Sequence, residues 1–137
     1  MERVYTTPRI DKLGVRPGAR VAILGVPDAD LRDEVRARTH DLTEGAPLAD
    51  TDIVIVAADS HDELGRLAEL RTRIVPNGAI WVVSRQGPSA TLRDVEVMAA
   101  ARAVGLVDNK VASFSPTHTA MRLVIPVAQR PTVRPAG

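Results

Sequence analysis

The sequence predicts a three-layer α/β fold whose mostly parallel sheet ends in an antiparallel hairpin. Three observations lead there. Val21–Leu24, Ile53–Ala58 and Ala79–Val83 are short runs that are apolar at every residue, as strands buried on both faces are. Segments of helical period separate them, and such alternation implies parallel pairing. Two strand-like segments, Val107–Phe114 and Thr119–Val127, then close the chain. Their link is too short for a parallel crossover, so they pair antiparallel.

Taken in order, residues 1–10 lack a period and read as a flexible arm. Arg16-Pro17-Gly18 is a turn signal ahead of the first strand. Asp28 or Asp30 can cap a helix over about residues 31–39, whose apolar stripe is thin (Leu31, Val35). A short strand fits near His40–Leu42. After Ile53–Ala58, Ser60 and Glu63 form a capping-box pattern. The helix that follows should run to about Arg73, with Leu64, Leu67, Ala68 and Arg71 on one face and Leu70 alongside.

Pro76-Asn77-Gly78 reads as a turn before Ala79–Val83. Thr91 and Asp94 can open the next helix, with Leu92, Val95, Ala99 and Ala103 as its stripe and Gly105 as its terminator. Arg122 and Pro126 place the last strand at an exposed edge. The domain thus spans residues 11–128, and the proline-punctuated 129–137 reads as a flexible tail.

Composition narrows the function classes. The 137 residues suit one domain, and a domain of that size buries roughly 68% of its unfolded surface. Net charge is +1 and no basic stripe stands out, which argues against nucleic acid as partner. Arginines outnumber lysines sixteen to two, which reads as coding bias rather than as selection for anion contacts. The absence of cysteine excludes disulfides and thiolate chemistry. No apolar run nears the ~18 residues of a membrane span, so a cytoplasmic protein is expected.

Several stretches resemble the class I methyltransferase fold, a Rossmann-like architecture. They are Val15–Gly25, with its Pro-Gly turn before the strand; Asp50–Val56, with its acidic lead; and Ile74–Val82, with its Pro-Asn-Gly. More closely, the chain is similar to a small bacterial family of unknown function built on a shortened methyltransferase-like domain. Lys12–Gly18, Gly78–Val82, Gly105–Asp108 and Thr119–Arg122 carry that likeness. Two places depart from the family pattern: Ser84-Arg85-Gln86 stands where a Tyr-Pro-Lys is expected, and His118 where a second tryptophan is.

The methyltransferase resemblance implies S-adenosylmethionine as cofactor, yet the first strand runs into Val26-Pro27-Asp28 and only Gly25 remains of a glycine loop. Residues 26–51, 26 in all, hold one crossover of at least ~10–12 residues and one short strand. They cannot hold two full units, so the carboxylate that would bind a ribose should be absent or displaced.

Four residues are candidates to line a strand-end pocket: Gly25, Asp28, Asp59 and Arg85. Capping is the simpler role for Asp28. Arg85 is the best anion candidate, aided by a helix N-terminus near Thr91. No Gly-x-Ser-x-Gly elbow or paired-histidine metal motif occurs. The expectation is a non-catalytic binding or assembly module without cofactor or metal, a homodimer through its hairpin edge. The alternative is a protein that binds S-adenosylmethionine or a nucleoside at the strand ends.

Overall fold

A computed structural model describes residues 7–130. Its centre is a six-stranded sheet of order β2-β1-β3-β4-β6-β5. The strands are β1 (Val21–Leu24), β2 (Leu42–Glu44), β3 (Thr51–Ala57), β4 (Ile74–Arg85), β5 (Val107–Ser115) and β6 (His118–Val124). The first four are parallel, whereas β6 runs antiparallel to both β4 and β5. The predicted α/β class and closing hairpin are both present.

Side-chain alternation divides the sheet into two faces. Ala22, Val54, Val56, Ile80, Val82, Met121 and Leu123 point to one core. Helices α3 (His61–Leu64), α4 (Leu67–Arg71) and α5 (Asp94–Ala103) cover it through Leu64, Leu67, Leu70, Val97 and Ala101. Val21, Ile23, Ile53, Ile55, Trp81, Val83 and Ala120 point to the other. There α1 (Arg9–Lys12) and α2 (Ala29–Arg36) supply Ile10, Leu13, Leu31 and Val35. Burial on both faces is why these strands carry no polar alternation.

Local chemistry sets several boundaries as expected. Gly18 takes φ +79 in the Arg16–Ala19 turn, closed by Ala19 N–H to the Arg16 carbonyl at 3.0 Å. Asp28 caps α2 by accepting from Leu31 N–H at 2.9 Å. Ser60 accepts from Glu63 N–H at 3.1 Å, and the Glu63 carboxylate reaches back to Asp59 N–H at 3.0 Å. Gly105 ends α5 in a Schellman pair: Leu106 N–H meets the Ala101 carbonyl and Gly105 N–H the Arg102 carbonyl, at 2.9 and 3.1 Å.

Other expectations are corrected. The helix after Ser60 breaks at Gly65 into α3 and α4. Its buried residues therefore fall three apart, at 64, 67 and 70, and Ala68 is exposed. In α5 the buried positions are Val97 and Ala101, with Met98 and Val104 packed beside them, while Val95 is 59% exposed. Pro76-Asn77-Gly78 is a bulge inside β4 rather than a turn before it. Thr51 pairs with Ile74 and Ile53 with Ala79, so four residues of β4 face one of β3.

The final strand is not an edge either. β6 lies between β4 and β5, and β5 is the edge. Of the expected N-terminal arm, residues 1–6 lie outside the described residues, while Arg9 and Ile10 belong to α1 and Ile10 is buried. Of the expected tail, residues 131–137 lie outside. Gln129 ends a 3₁₀ turn, and the Arg130 guanidinium donates to the Ile125 carbonyl at 3.0 Å.

Candidate functional site

Open α/β sheets bind ligands at the carboxyl ends of their strands. At this end of β1 the chain turns through Gly25 (φ +67), Val26 and Pro27 to Asp28. Asp28 has two tasks. It caps α2, and it receives Arg9 Nη1 at 2.8 Å. The helix N-terminus that would face an anion is thus met by the protein's own carboxylate.

Arg9 ties three elements together. Its guanidinium bonds Asp28, Glu34 of α2 at 2.5 Å and the Phe114 carbonyl of β5 at 3.3 Å, and lies 4.6 Å from the Phe114 ring centroid. Burial alone would lower its pKa, but the bonds to Glu34 and Asp28 outweigh that and raise it. For Asp28, burial pulls its pKa upward, while Arg9 and the Leu31 N–H pull it down and prevail.

The expectation of a missing ribose carboxylate is corrected. β2 exists, pairs parallel with β1 and ends in Glu44. That is where dinucleotide folds place their ribose-binding acid. Glu44 is already engaged by Arg32 Nε and by Arg36 at 3.3 Å. The Arg32 hydrogen bond comes first among the causes that hold the Glu44 carboxyl below its usual pKa. Arg32 also donates to the Val26 and Asp28 carbonyls at 2.8 and 3.0 Å. One arginine therefore spans the β1 loop and the β2 end, across the ground a nucleoside would occupy.

Asp59 and Arg85 lock each other at the ends of β3 and β4. The Asp59 carboxylate accepts the Arg85 backbone N–H at 2.8 Å and lies 3.9 Å from its Nε. The expected help from a helix N-terminus is corrected, because α5 begins at Asp94 and its first turn carries acid. Glu96 accepts the Arg93 N–H at 2.6 Å and meets His61 at 3.2 Å.

The four predicted residues share one end of the sheet but not one pocket. Asp28 lines a cavity of about 170 Å³ with Val83, Phe114, Thr117 and His118. Arg85 lines a separate open depression with Gln86, Gly87 and Arg93. The Asp28 cavity is smaller than the ~300–1,000 Å³ of typical cofactor pockets, and the roomier depression at Arg85, about 500 Å³, is open to solvent and is not lined by Gly25, Asp28 or Glu44. The residues at this end do not fit that cofactor as they stand. Among the described residues, no group of three or more His, Asp or Glu is placed to hold a metal.

Sequence reasoning missed Arg9, Arg32 and Glu44. It also gave no sign of the bond that Trp81 makes: the ring is fully buried, and its Nε1 donates to the Leu13 carbonyl at 3.1 Å. Coding bias does not account for where the arginines sit: Arg9, Arg20, Arg32, Arg36, Arg38 and Arg73 all meet carboxylates.

A mostly parallel sheet closed by an antiparallel hairpin, with helices on both faces, defines the class I methyltransferase-like architecture. Comparison bears this out. A putative type 11 methyltransferase from Sulfolobus solfataricus superposes with a TM-score of 0.63 at 12% identity, covering 93% of this chain and 92% of that one. A TehB-like SAM-dependent methyltransferase from Corynebacterium glutamicum gives 0.57 at 12%, covering 85% of each. The mitomycin 7-O-methyltransferase MmcR gives 0.61 at 11%, covering 79% of this chain, which spans about half (49%) of that enzyme's length. At such identity the likeness is one of fold. No curated protein matches significantly. Within that class, residues 10–127 match the family described as Protein of unknown function (DUF3052), and the chain belongs to it.

Proposed function

We propose that this chain is a methyltransferase-like domain that serves as a binding or assembly module without S-adenosylmethionine chemistry. The observation that carries this reading is Arg32, bound at once to Val26, Asp28 and Glu44. A cofactor at the strand ends would have to displace a charged side chain from three acceptors and leave Glu44 with Arg36 as its one described partner. The capped α2 terminus and the small cavity act in the same direction. Calorimetric titration with S-adenosylmethionine and S-adenosylhomocysteine should give no saturable heat up to millimolar ligand. A micromolar dissociation constant for either would overturn the reading.

The position of Glu44 favours the second reading, a nucleoside-binding protein in which Arg32 swings away and Gly25, Asp28, Asp59 and Arg85 line the opened site. It requires saturable heat in the same titration, weakened by Glu44→Gln.

For assembly, the hairpin edge is the surface that supports a homodimer. Among the described residues β5 has one free side, and Val111 on that strand is 48% exposed. Bulges at Asn109 and Phe114, together with Lys110, twist and charge this edge, as protected edges are. The dimer therefore packs side chains over Val111 rather than extending the sheet. Light scattering should show a dimer that Val111→Glu dissociates; a wild-type monomer at 100 µM or so, well above the dissociation constants of stable dimers, would refute it.

A further inference from the structure

At the carboxyl end of the sheet the protein's own side chains occupy the ends of β1 and β2; the amino end is open. A cavity of about 480 Å³ lies there, walled by Leu13, Arg16, Gly18, Asp52, Asn77 and Arg122. Two described features build it. The β4 bulge pushes Asn77 out as one wall. It needs glycine at its root, since a Cβ on Gly78 would lie 2.9 Å from the Asp52 carbonyl oxygen. The Trp81 bond to Leu13 fixes the opposite wall, the loop from Leu13 to Gly18.

Arg122 is the unusual residue here. It sits on an interior strand, opposite Trp81 on one side and Lys110 on the other. Its guanidinium is half-buried, yet among the described residues it has no carboxylate and no hydrogen-bond acceptor. Burial first, and the charge of Arg130 second, push its pKa below the usual guanidinium range. A partly desolvated cation beside a second cation costs stability. Nothing among the described residues offsets that cost, but an anion in the cavity would. Arg16 and the Asn77 carboxamide, both exposed and without described partners, add donors at the mouth. Asp52 gives one oxygen to the Arg20 N–H at 2.9 Å, which leaves the other to accept from a ligand hydroxyl or amine.

We propose that this amino-end cavity binds a small molecule bearing a phosphate or carboxylate group, gripped by the Arg122 guanidinium with Arg16 and Asn77 at its rim. A planar fork suits either oxyanion, and its bonds to one are charge-assisted. The site stands whether or not the strand ends take a nucleoside. It also lies at the end of the sheet opposite to the one open α/β folds ordinarily use.

Thermal-shift titration at fixed ionic strength tests it, with inorganic phosphate, pyrophosphate and succinate as probes. At least one should raise the wild-type melting temperature saturably. Response to the phosphates alone, or to succinate alone, assigns the oxyanion. Arg122→Gln should weaken binding about tenfold or more without lowering the stability of the ligand-free protein, because no native partner is lost. Arg16→Gln should weaken it less, and Arg102→Gln, an exposed arginine of α5, should change nothing. If Arg122→Gln does not fold, Arg122→Lys keeps the charge and loses the fork, and should still weaken binding. The proposal is overturned if no probe shifts the wild type beyond the chloride control, or if the Arg122 variants respond as the wild type does.

Discussion

Replacing Trp81 with phenylalanine probes the contact that joins the N-terminal segment to the sheet. The indole is 0% exposed, and its N–H is the only described donor to the Leu13 carbonyl, at 3.1 Å. Two losses add. Trimming the fused ring costs about 1 kcal/mol in transfer and cavity terms. Orphaning a buried carbonyl costs about 1–3 kcal/mol. The sum, about 2–4 kcal/mol, is a large share of the ~5–15 kcal/mol that holds a domain together. At this chain length it corresponds to roughly 6–15 °C in melting temperature. Trp81 is the sole tryptophan, so the variant has no tryptophan emission. Urea unfolding of both proteins should instead be followed by far-UV circular dichroism and extrapolated linearly. A loss under about 1 kcal/mol would mean that the Leu13 carbonyl finds water or another donor, and that the staple is not one.

Acid should act through Asp28. Its folded pKa is depressed, so its contribution is complete above the unfolded carboxylate value of about 3.9 and is lost as pH falls through the folded value. Stability measured from pH 5 downward should therefore fall less steeply in Asp28→Asn than in wild type; equal slopes would exclude Asp28 as the acid-sensitive group. Gly78→Ala should cost about 1–3 kcal/mol by overpacking against backbone, because the 2.9 Å contact is to the Asp52 carbonyl and not to a side chain that can turn away. An unchanged denaturation midpoint would show that the bulge relaxes.

What the sequence disclosed were features decided locally. β1, β3 and the core of β4 are runs whose every residue is apolar, and the Asp28 cap, the Ser60 cap and the Gly105 terminator each need only a few neighbouring residues. Features decided at a distance stayed hidden. Gly65 divides a helix whose period looked continuous, because the junction tightens into three-residue turns, with Gly65 N–H on the Asp62 carbonyl and Arg66 N–H on that of Glu63. The α5 stripe shifted because the sheet beneath, not the pattern itself, selects Val97 and Ala101. Arg122 read as an edge residue because nothing in Thr119–Val127 reveals which strands flank it. At the site, Asp28 and Asp59 were visible as strand-end acids, but the arginines that occupy the acids there come from 19 and 12 residues away in Arg9–Asp28 and Arg32–Glu44. Only an arginine excess hinted at them.

The position of β6 has a consequence for synthesis. It is the last of the described strands to be made, yet it lies between two made earlier. When β5 leaves the ribosome its place in the sheet does not yet exist, and β4 presents an open side. Residues 116–124 follow within about a second, at roughly 5–20 residues per second. For that interval two unpaired strands are exposed to neighbouring chains. A chain truncated before residue 118 would stay in that state. The nascent chain's demand for a chaperone should therefore be greatest just before β6 emerges.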